Sequence, residues 1–393
     1  MDHDARLVAL QQTLAERGLA GALLFQSRDV FYYTGTAQPG WLAVRPDEAV
    51  LFVASGLDFA QRDTGWGEDR LVEERRLEAV CRRMFPGAGR GESIGIELDV
   101  ITAVSRDALA ACLAERELID ISPQILAQRA IKDAQELELL GAACRALEAG
   151  HQAALRHWRP GQSELELSAA LENGHRLAGH EGGFFIRQPG FFMSRGPFAS
   201  GPNIGTISGL VFTISGVGLS AAIPAGASRR IVEAGDLVVV DIPTSVGGYM
   251  GDQSRTYRVG SAAKPDGAKQ AHAALRQVSD AVIAAMVPGR SGGELYAVAT
   301  RAAAANDIAD AFLAFPSGAR AHFIGHGVGL EGNEPPFLVK GGSARIATNM
   351  VLTVEIHVCL AAGLMVKLED MVVVEEGGGR LLTITPRELI QIG

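Results

Sequence analysis

The sequence has little positive charge, few cysteines and no long apolar run. Its 36 Lys and Arg residues are outnumbered by 45 Asp and Glu residues, and a net charge of −9 argues against binding nucleic acid or an anionic membrane. Only four cysteines occur and none forms a Cys-x-x-Cys pair, which argues against a disulfide framework or a thiolate zinc site and predicts a reducing, cytoplasmic compartment. The longest uncharged stretch, residues 196–228, is interrupted by Gly, Ser and Pro, so we predict no membrane span.

The composition that remains is typical of a large soluble globular protein. The chain has 393 residues, of which 47% are hydrophobic and 21% charged, a length that predicts two or three domains. In the first third, strand-like segments at 22–25, 49–53, 93–96 and 118–121 alternate with helix-like segments, one of them at 106–116. Because such alternation is typical of an α/β domain, we predict a small α/β domain at residues 1–126 and a second domain at 127–393.

The second domain contains two similar joints between helix-like segments. A long helix-like segment from Lys132 ends at Pro160-Gly161, and Ser163 with Glu166 then forms a candidate capping box. A related Pro-Gly-x-Ser joint at 288–291 separates helix-like segments at 268–286 and 294–306. Such joints are common between unrelated helices, so coincidence and a duplicated helix–helix–sheet unit are equally good interpretations of the pattern alone.

Two aspartates are placed so that a hairpin would bring them together. Asp241 ends an apolar strand-like run, Asp252 follows eleven residues later, and Gly247-Gly248 between them indicates a turn. Two exposed turn aspartates are the simpler interpretation, but the preceding valines place Asp241 at the end of a buried strand. Carboxylates held that close repel each other unless a proton or a cation lies between them.

Three further residues extend this acidic group. His326 stands between glycines in an apolar segment, where other groups can approach the imidazole closely. Glu355 and Glu369 lie in apolar, strand-like runs, where a Glu is rare unless it is paired or binds metal. Four carboxylates and one imidazole without thiolates favour two hard or borderline divalent ions, such as Mn, Co, Fe or Zn.

In order and spacing, these residues resemble the metal ligands of the creatinase/prolidase/aminopeptidase P group of the "pita-bread" metallopeptidase superfamily. That group has two Asp eleven residues apart, a His in Gly-His-Gly, a Glu in Thr-Val-Glu and a Glu in Arg-x-Glu-Asp. The matching positions here are Asp241, Asp252, His326, Glu355 and Glu369. The resemblance covers nearly the whole chain and implies an α/β (α+β) protein, in which a small creatinase-like domain precedes a pseudo-two-fold pita-bread catalytic domain.

The resemblance also implies a mechanism and partners. It implies a dinuclear-metal hydrolase similar to Xaa-Pro aminopeptidase or dipeptidase, which cleaves an amide bond with a metal-bridging hydroxide. Asp241 would bind one ion and His326 the other, Asp252 and Glu369 would contact both, and Glu355 would also carry a proton to the leaving nitrogen. The substrate would be a short peptide or small molecule, and the protein a homodimer.

The chain departs from the family pattern around the substrate. Two family histidines are replaced by Pro224 and Asn333, and the Arg of the last motif is replaced by Lys367. By position, Asn333 and Lys367 are candidate substrate contacts. These departures keep two alternatives open: a specialised hydrolase or lyase acting on a small zwitterionic metabolite, and a metal-retaining binding module.

Other residues are weaker candidates. His322, four residues before His326, is a candidate catalytic and substrate-binding residue that could stabilise a developing oxyanion, although a loop His held by backbone hydrogen bonds is an equally good interpretation. His357 should share the face of Glu355, and a packed structural role is favoured for it. For the aromatic run at 184–185 and 191–193 we favour a core role, and for Arg187 and Arg195 a solvated one.

Overall fold

The chain divides into two compact units. The computed structural model describes residues 1–87, 89–113, 115–188, 195–208, 213–261 and 267–393. The units are Met1–Arg129 and Ala130–Gly393. Each unit contains its own buried apolar core. None of the helices in the described ranges combines the length and the apolar character that crossing a bilayer requires.

The first unit is built on a six-stranded mixed sheet with strand order β4-β3-β2-β1-β5-β6. Strands β1, β2 and β3 form an antiparallel meander, and β4, β5 and β6 add to it in parallel. The elements are α1 (His3–Glu16), β1 (Gly21–Leu24), α2 (Ser27–Thr34), β2 (Gly40–Val44), β3 (Ala49–Val53), α3 (Leu57–Thr64), β4 (Leu71–Glu73), α4 (Leu77–Met84), β5 (Ser93–Ile96), α5 (Ala103–Cys112), β6 (Glu117–Asp120) and α6 (Ser122–Ala130).

Burial explains which segments of this unit become strands. Every residue of β1 and β3 is buried, as expected for short apolar strands that are covered on both faces.

Helix α6 was not predicted, because Ser122-Pro123 looked like a joint between domains. Pro123 instead lies in the first turn of α6, where its missing N–H costs no helical hydrogen bond.

The second unit contains two helix pairs and two main sheets. One sheet has strand order β15-β11-β8-β7, the other is the antiparallel sheet β12-β13-β14, and β9 and β10 form a separate ribbon. Short 3-10 helices lie at Gly201–Gly205 and Ala361–Gly363. The other elements are α7 (Ala134–His157), α8 (Glu164–Leu177), β7 (Phe198–Ser200), β8 (Asp236–Val240), β9 (Thr244–Val246), β10 (Tyr249–Gly251), β11 (Arg255–Val259), α9 (Ala268–Ala285), α10 (Gly292–Ala305), β12 (Val351–Cys359), β13 (Met365–Glu375), β14 (Gly378–Leu381) and β15 (Ile390–Ile392).

The two helix joints have the same local structure, which favours duplication over coincidence. Ser163 and Ser291 both cap the following helix in a complete capping box with the Glu three residues later. Each joint also exchanges two backbone hydrogen bonds with a segment that leads into a sheet. One joint pairs Gly161 and Gln162 with Val232, and the other pairs Gly289 and Arg290 with Ile346.

This duplication places two of the predicted ligands at equivalent positions. Asp241 lies nine residues after Val232, and Glu355 lies nine residues after Ile346. The predicted fold class, a small α/β domain followed by a pseudo-two-fold domain, is therefore confirmed by the architecture.

Candidate metal centre

A hairpin brings the two predicted aspartates together. Asp241 directly follows β8, and Asp252 directly follows β10. Between them, the β9–β10 ribbon turns through Gly247 and Gly248, whose φ angles of 58° and 79° suit glycine. The paired ends of the ribbon return the chain to its starting point, so both carboxyl groups lie buried at the same place.

Glu355 and Glu369 lie directly opposite each other on the antiparallel strands β12 and β13. Glu369 Oε2 accepts a hydrogen bond from Ser254 Oγ at 2.9 Å. Within the described part of the chain, the buried Glu369 Oε1 has no hydrogen-bond partner. A buried carboxylate oxygen left in this way is suited to bind a cation.

His326 presents one ring nitrogen to these carboxylates. Its Nδ1 lies 3.0 Å from the carbonyl oxygen of Gly327, which fits an N–H donor and leaves the lone pair on Nε2. Nε2 lies 3.8 Å from Asp252 Oδ2 and 3.8 Å from Glu369 Oε1. Gly325 lets the segment before His326 pack closely against β12, because a Cβ there would lie 2.0 Å from the Thr353 carbonyl oxygen.

The five side chains form two overlapping ligand groups. Among the described residues, the ligand atoms of Asp252, His326 and Glu369 lie within 4.8 Å of one another, and so do those of Asp241, Glu355 and Glu369. Glu369 belongs to both groups. That Asp252 and Glu369 would each contact both ions stays a prediction. Carboxylates and one imidazole in this arrangement fit borderline or hard divalent ions.

Lys367 lies inside this cluster. It precedes Glu369 by two residues on β13, so the two side chains share a face of the strand. Its side chain is completely buried, and Nζ lies 2.5 Å from Asp241 Oδ2 and 2.6 Å from Glu355 Oε1. The sequence predicted a substrate contact for Lys367, but the structure places its ammonium between two of the predicted metal ligands.

Burial and this ammonium act in opposite directions on the carboxyl groups of the cluster, and burial raises the pKa of Asp241 even though Lys367 opposes the shift. Burial raises the pKa of the Asp252 and Glu369 carboxyl groups well above their usual range, and the neighbouring carboxylates add to the shift. Burial also favours the protonated form of Glu355, but Lys367 together with His326 and His357 outweighs burial and lowers the pKa of Glu355 below its usual value. Burial lowers the pKa of His326 and favours the neutral imidazole that metal binding needs.

A second ion-pair network lies on the opposite face of β13 from Glu369. Asp370, next to Glu369 on β13, points to the opposite face and is fully buried. It accepts hydrogen bonds from Arg255 at 2.7 Å, Arg387 at 2.6 Å and Thr383 at 2.8 Å. Ser254 and Arg255 were not predicted to contact the ligand-bearing strand β13. They follow Asp252 by two and three residues, and this position could have indicated a place near the site.

An apolar pocket of about 590 Å³ lies next to His326 and His357, and none of the five candidate ligands is among its described lining residues. Two aromatic rings of its wall also contact the metal centre or its neighbours: Phe323 stacks on His326 with ring centroids 5.8 Å apart, and Phe315 packs on His357 at 4.7 Å. The exposed His322 lines the pocket. The remaining lining residues are Gly205, Ile207, Pro316, Ser317, Ala319, Arg320 and Ala321.

The other sequence candidates are more scattered. Asn333 is half-buried, and its Oδ1 accepts no hydrogen bond from the described residues. Pro224 accepts a hydrogen bond from Ser208 through its carbonyl oxygen. Arg187 is nearly buried and lies 3.9 Å from Glu331. Arg195 forms an ion pair with Glu172 at 3.5 Å. Residues 191–193 of the aromatic run lie outside the described ranges.

Comparison with known proteins identifies the family. The profile of "Metallopeptidase family M24" matches residues 138–376, and that of the "Creatinase/Prolidase N-terminal domain" matches residues 6–131. The chain belongs to metallopeptidase family M24. This confirms the family resemblance and the metal-dependent peptidase class that the five ligand positions predicted.

Relatives of this M24 chain match it over almost its whole length. "Uncharacterized peptidase YqhT" of Bacillus subtilis is 27% identical over 98% of this chain and 99% of its own. The "Xaa-Pro dipeptidase" of Pyrococcus furiosus is 26% identical, again over 98% and 99%.

Solved structures of similar proteins share the fold of the M24 chain. An Xaa-Pro dipeptidase from Bacillus anthracis superposes with a TM-score of 0.81 at 23% identity, covering 99% of this chain and 100% of its own. The prolidase from Pyrococcus horikoshii has a TM-score of 0.79 at 22% identity, with coverage of 98% and 100%. At these identities the likeness establishes the fold alone.

Proposed function

We propose that the protein is a dinuclear-metal hydrolase that cleaves the amide bond of an Xaa-Pro dipeptide. The observation that carries this proposal is the buried convergence of four carboxylates and the Nε2 of His326, with Glu369 shared between two ligand groups. The names of the relatives support the substrate class, since several are called dipeptidases or Xaa-Pro dipeptidases.

The five ligands would hold the ions, and side chains of the protein would also transfer a proton and orient the ligands. Divalent ions bound there would lower the pKa of a water and polarise the scissile carbonyl. Glu355 is the best-placed group to pass a proton to the leaving nitrogen, because its carboxylate lies in the cluster and opposite Glu369. Ser254 would keep Glu369 oriented through its hydrogen bond.

The apolar pocket suits the proline side of such a substrate. Phe315, Pro316 and Phe323 offer apolar surface for a pyrrolidine ring, next to His326. The described lining residues include Arg320 and His322 and no carboxylate side chain, which favours a substrate with a free carboxylate end. The two terminal nitrogens of Arg320 donate to backbone carbonyl oxygens, so we assign the contact with that carboxylate to His322.

Peptide hydrolysis tests the proposal. The Mn(II)- or Co(II)-loaded protein should cleave an Xaa-Pro dipeptide, and should cleave a tripeptide Xaa-Pro-Yaa at least about tenfold more slowly, because the longer peptide carries its carboxylate beyond His322. Asp252→Ala should abolish both activities. A folded, metal-loaded protein that cleaves neither peptide would refute the assignment.

A second candidate is favoured by the replacements around the substrate. Pro224 and Asn333 stand where the family pattern has histidines, which favours a specialised hydrolase or lyase acting on a small zwitterionic metabolite. A panel of amidic and zwitterionic metabolites, tested beside the peptides, separates the two candidates. Stoichiometric metal without turnover on either panel would favour a metal-retaining binding module.

A further inference from the structure

A further pocket, of about 540 Å³, lies between α10 and the segment 309–322, and we call it the α10 pocket. None of the five candidate metal ligands is among its described lining residues. We propose that the α10 pocket binds a small organic phosphate, and that Arg301 and Lys340 contact the phosphate group. The proposal depends neither on metal binding nor on peptide hydrolysis.

Hydrogen bonds between its walls hold the α10 pocket in shape. Tyr296 Oη, on α10, donates to the carbonyl oxygen of Ala321 at 3.3 Å. The backbone N–H of Lys340 donates to the carbonyl oxygen of His322 at 2.9 Å. Both α10 and the turn at Lys340 are therefore attached to the same segment, so the pocket exists before a ligand binds, as most small-molecule sites do.

One face of α10 forms a wall of the pocket. The lining residues on this helix are Gly293, Tyr296, Ala297, Thr300 and Arg301, which have the spacing of a single helix face. Gly293 and Ala297 are small and leave space, and Arg301 lies one turn beyond Ala297. On the other side the buried Phe312 and Leu313 add apolar surface. The pocket thus combines an apolar wall with exposed basic groups.

The ionisable lining residues, apart from the Tyr296 phenol, are all basic. They are Arg301, Arg320, His322 and Lys340. No carboxylate side chain is among the described lining residues, although the chain as a whole has a net charge of −9. A pocket that concentrates positive charge in an acidic protein attracts anions.

Two of the basic side chains are available to a ligand. Arg301 and Lys340 are exposed, and within the described ranges neither side chain forms a hydrogen bond or an ion pair. Arg320 donates its two terminal nitrogens to backbone carbonyl oxygens, so it contributes mainly positive charge. His322 also lines the apolar pocket, and for that reason the proposal is based on Arg301 and Lys340.

A phosphate monoester fits these groups better than a carboxylate does. Above its second pKa, near 6, it carries a charge close to −2 and has three acceptor oxygens, so it can pair with a guanidinium and an ammonium together. A carboxylate has a single charge and two oxygens. The apolar surface of Phe312 and Leu313 suits an aromatic or aliphatic group attached to the phosphate. The volume lies within the range of about 300–1,000 Å³ that holds small molecules.

Calorimetric titration of the metal-loaded protein with phenyl phosphate, at about pH 8, tests the proposal. Arg301→Gln and Lys340→Gln should each weaken binding by about tenfold, because each removes a charge-assisted hydrogen bond. Arg290→Gln is the matched control, since Arg290 is an exposed arginine just before α10 that does not line the pocket, and it should bind like the wild type. Benzoate should bind at least about tenfold more weakly than phenyl phosphate.

A phosphate could also bind to metal ions, and Asp252→Ala separates the two locations. Unchanged binding in Asp252→Ala supports the α10 pocket, whereas binding lost in Asp252→Ala and kept in Arg301→Gln would overturn the inference. It is equally overturned if the wild type shows no saturable binding, if benzoate binds as tightly as phenyl phosphate, or if neither Arg301→Gln nor Lys340→Gln weakens binding. Circular dichroism confirms that each variant is folded, which is expected because both side chains are exposed.

Discussion

At the scale of the residue, two buried carboxylates of this protein have very different surroundings. They are Asp370 and Glu369, which are neighbours on β13. Asp370 uses both oxygens in bonds to Arg255, Arg387 and Thr383, and these cations and the hydroxyl keep its pKa below the usual value despite burial. Glu369 keeps one oxygen without a partner among the described residues, and its pKa is raised.

The substitution Asp370→Asn should destabilise the protein strongly. It would leave the buried guanidinium of Arg255 without its carboxylate partner, a change that costs about 3 kcal/mol in comparable buried pairs. Urea unfolding monitored by far-UV circular dichroism measures the loss. Glu375→Gln is the matched control on the same strand, because its pair with Arg380 is exposed and should contribute under about 1 kcal/mol. Equal losses in the two variants would contradict the structural role of Asp370.

His272 on α9 should make stability depend on pH. Burial, with help from Arg255 and Arg276, lowers the pKa of His272 to about 4, whereas Glu388 and Asp370 oppose the shift. In the unfolded chain a histidine titrates near 6.5, so between pH 6.5 and 4 the unfolded state binds more protons. Protonation therefore favours unfolding, and the stability associated with neutral His272 is lost as the pH falls through this window.

Comparison with His272→Gln isolates this effect, because glutamine does not titrate. The free energy of unfolding of the variant relative to the wild type should rise by roughly 1.4 kcal/mol per pH unit as the pH falls from 6 to 5. Above pH 7.5 the difference should be constant, which serves as the internal control. A difference that stays flat across the whole range would show that His272 has the same pKa in the folded and the unfolded protein, which would contradict the prediction.

At the scale of the element, local patterns predicted several helices and strands, and an overlooked local signal explains one misplaced boundary. The strands at 49–53 and 93–96 were predicted with their observed bounds, because short apolar runs between turn residues leave few alternatives. Helix α5 was predicted at 106–116 but starts at Ala103, since Thr102 caps it through a hydrogen bond from the Ser105 N–H. The prediction had followed the alanine-rich stretch and overlooked this cap.

The candidate site, too, was only partly predicted from the sequence. The residue types, order and spacing of the five proposed ligands were visible in the sequence, and so was the hairpin that joins Asp241 and Asp252. The register that sets Glu355 opposite Glu369, and Lys367 opposite His357, was not visible in the sequence. It depends on which residues of β12 and β13 pair across the sheet. The position of the Lys367 ammonium follows from that register.

The two equivalent helix caps give a prediction at this scale. Ser163→Ala and Ser291→Ala should each lower the free energy of unfolding by about 1 kcal/mol, because each removes the side chain that accepts a hydrogen bond from the helix backbone. Ser163→Asp should restore most of the loss, since Asp133 already caps α7 in the same way. Urea unfolding of the four proteins measures this. A loss at only one of the two serines would indicate that the repeated joints differ in energy.

At the scale of the whole molecule, the chain consists of one unit without proposed ligands and one unit that contains all of them. The five ligands lie between residues 241 and 369, within Ala130–Gly393. Strands β8, β12 and β13 bring them together from both halves of the duplicated unit. A bound ion would therefore link the two halves of this unit, and its stabilising effect should be confined to the segments that it joins.

Hydrogen–deuterium exchange with and without Mn(II) measures that effect. Metal that binds only the folded state stabilises it by about 2.7 kcal/mol at a concentration 100-fold above its dissociation constant. Peptides covering β8–β10 and β12–β13 should therefore exchange more slowly with Mn(II), whereas peptides from residues 1–129 should be unchanged. The same titration on Asp252→Ala should lose the protection, because that variant lacks one of the five proposed ligands. Protection spread evenly over both units, or retained in Asp252→Ala, would place the metal elsewhere in the molecule.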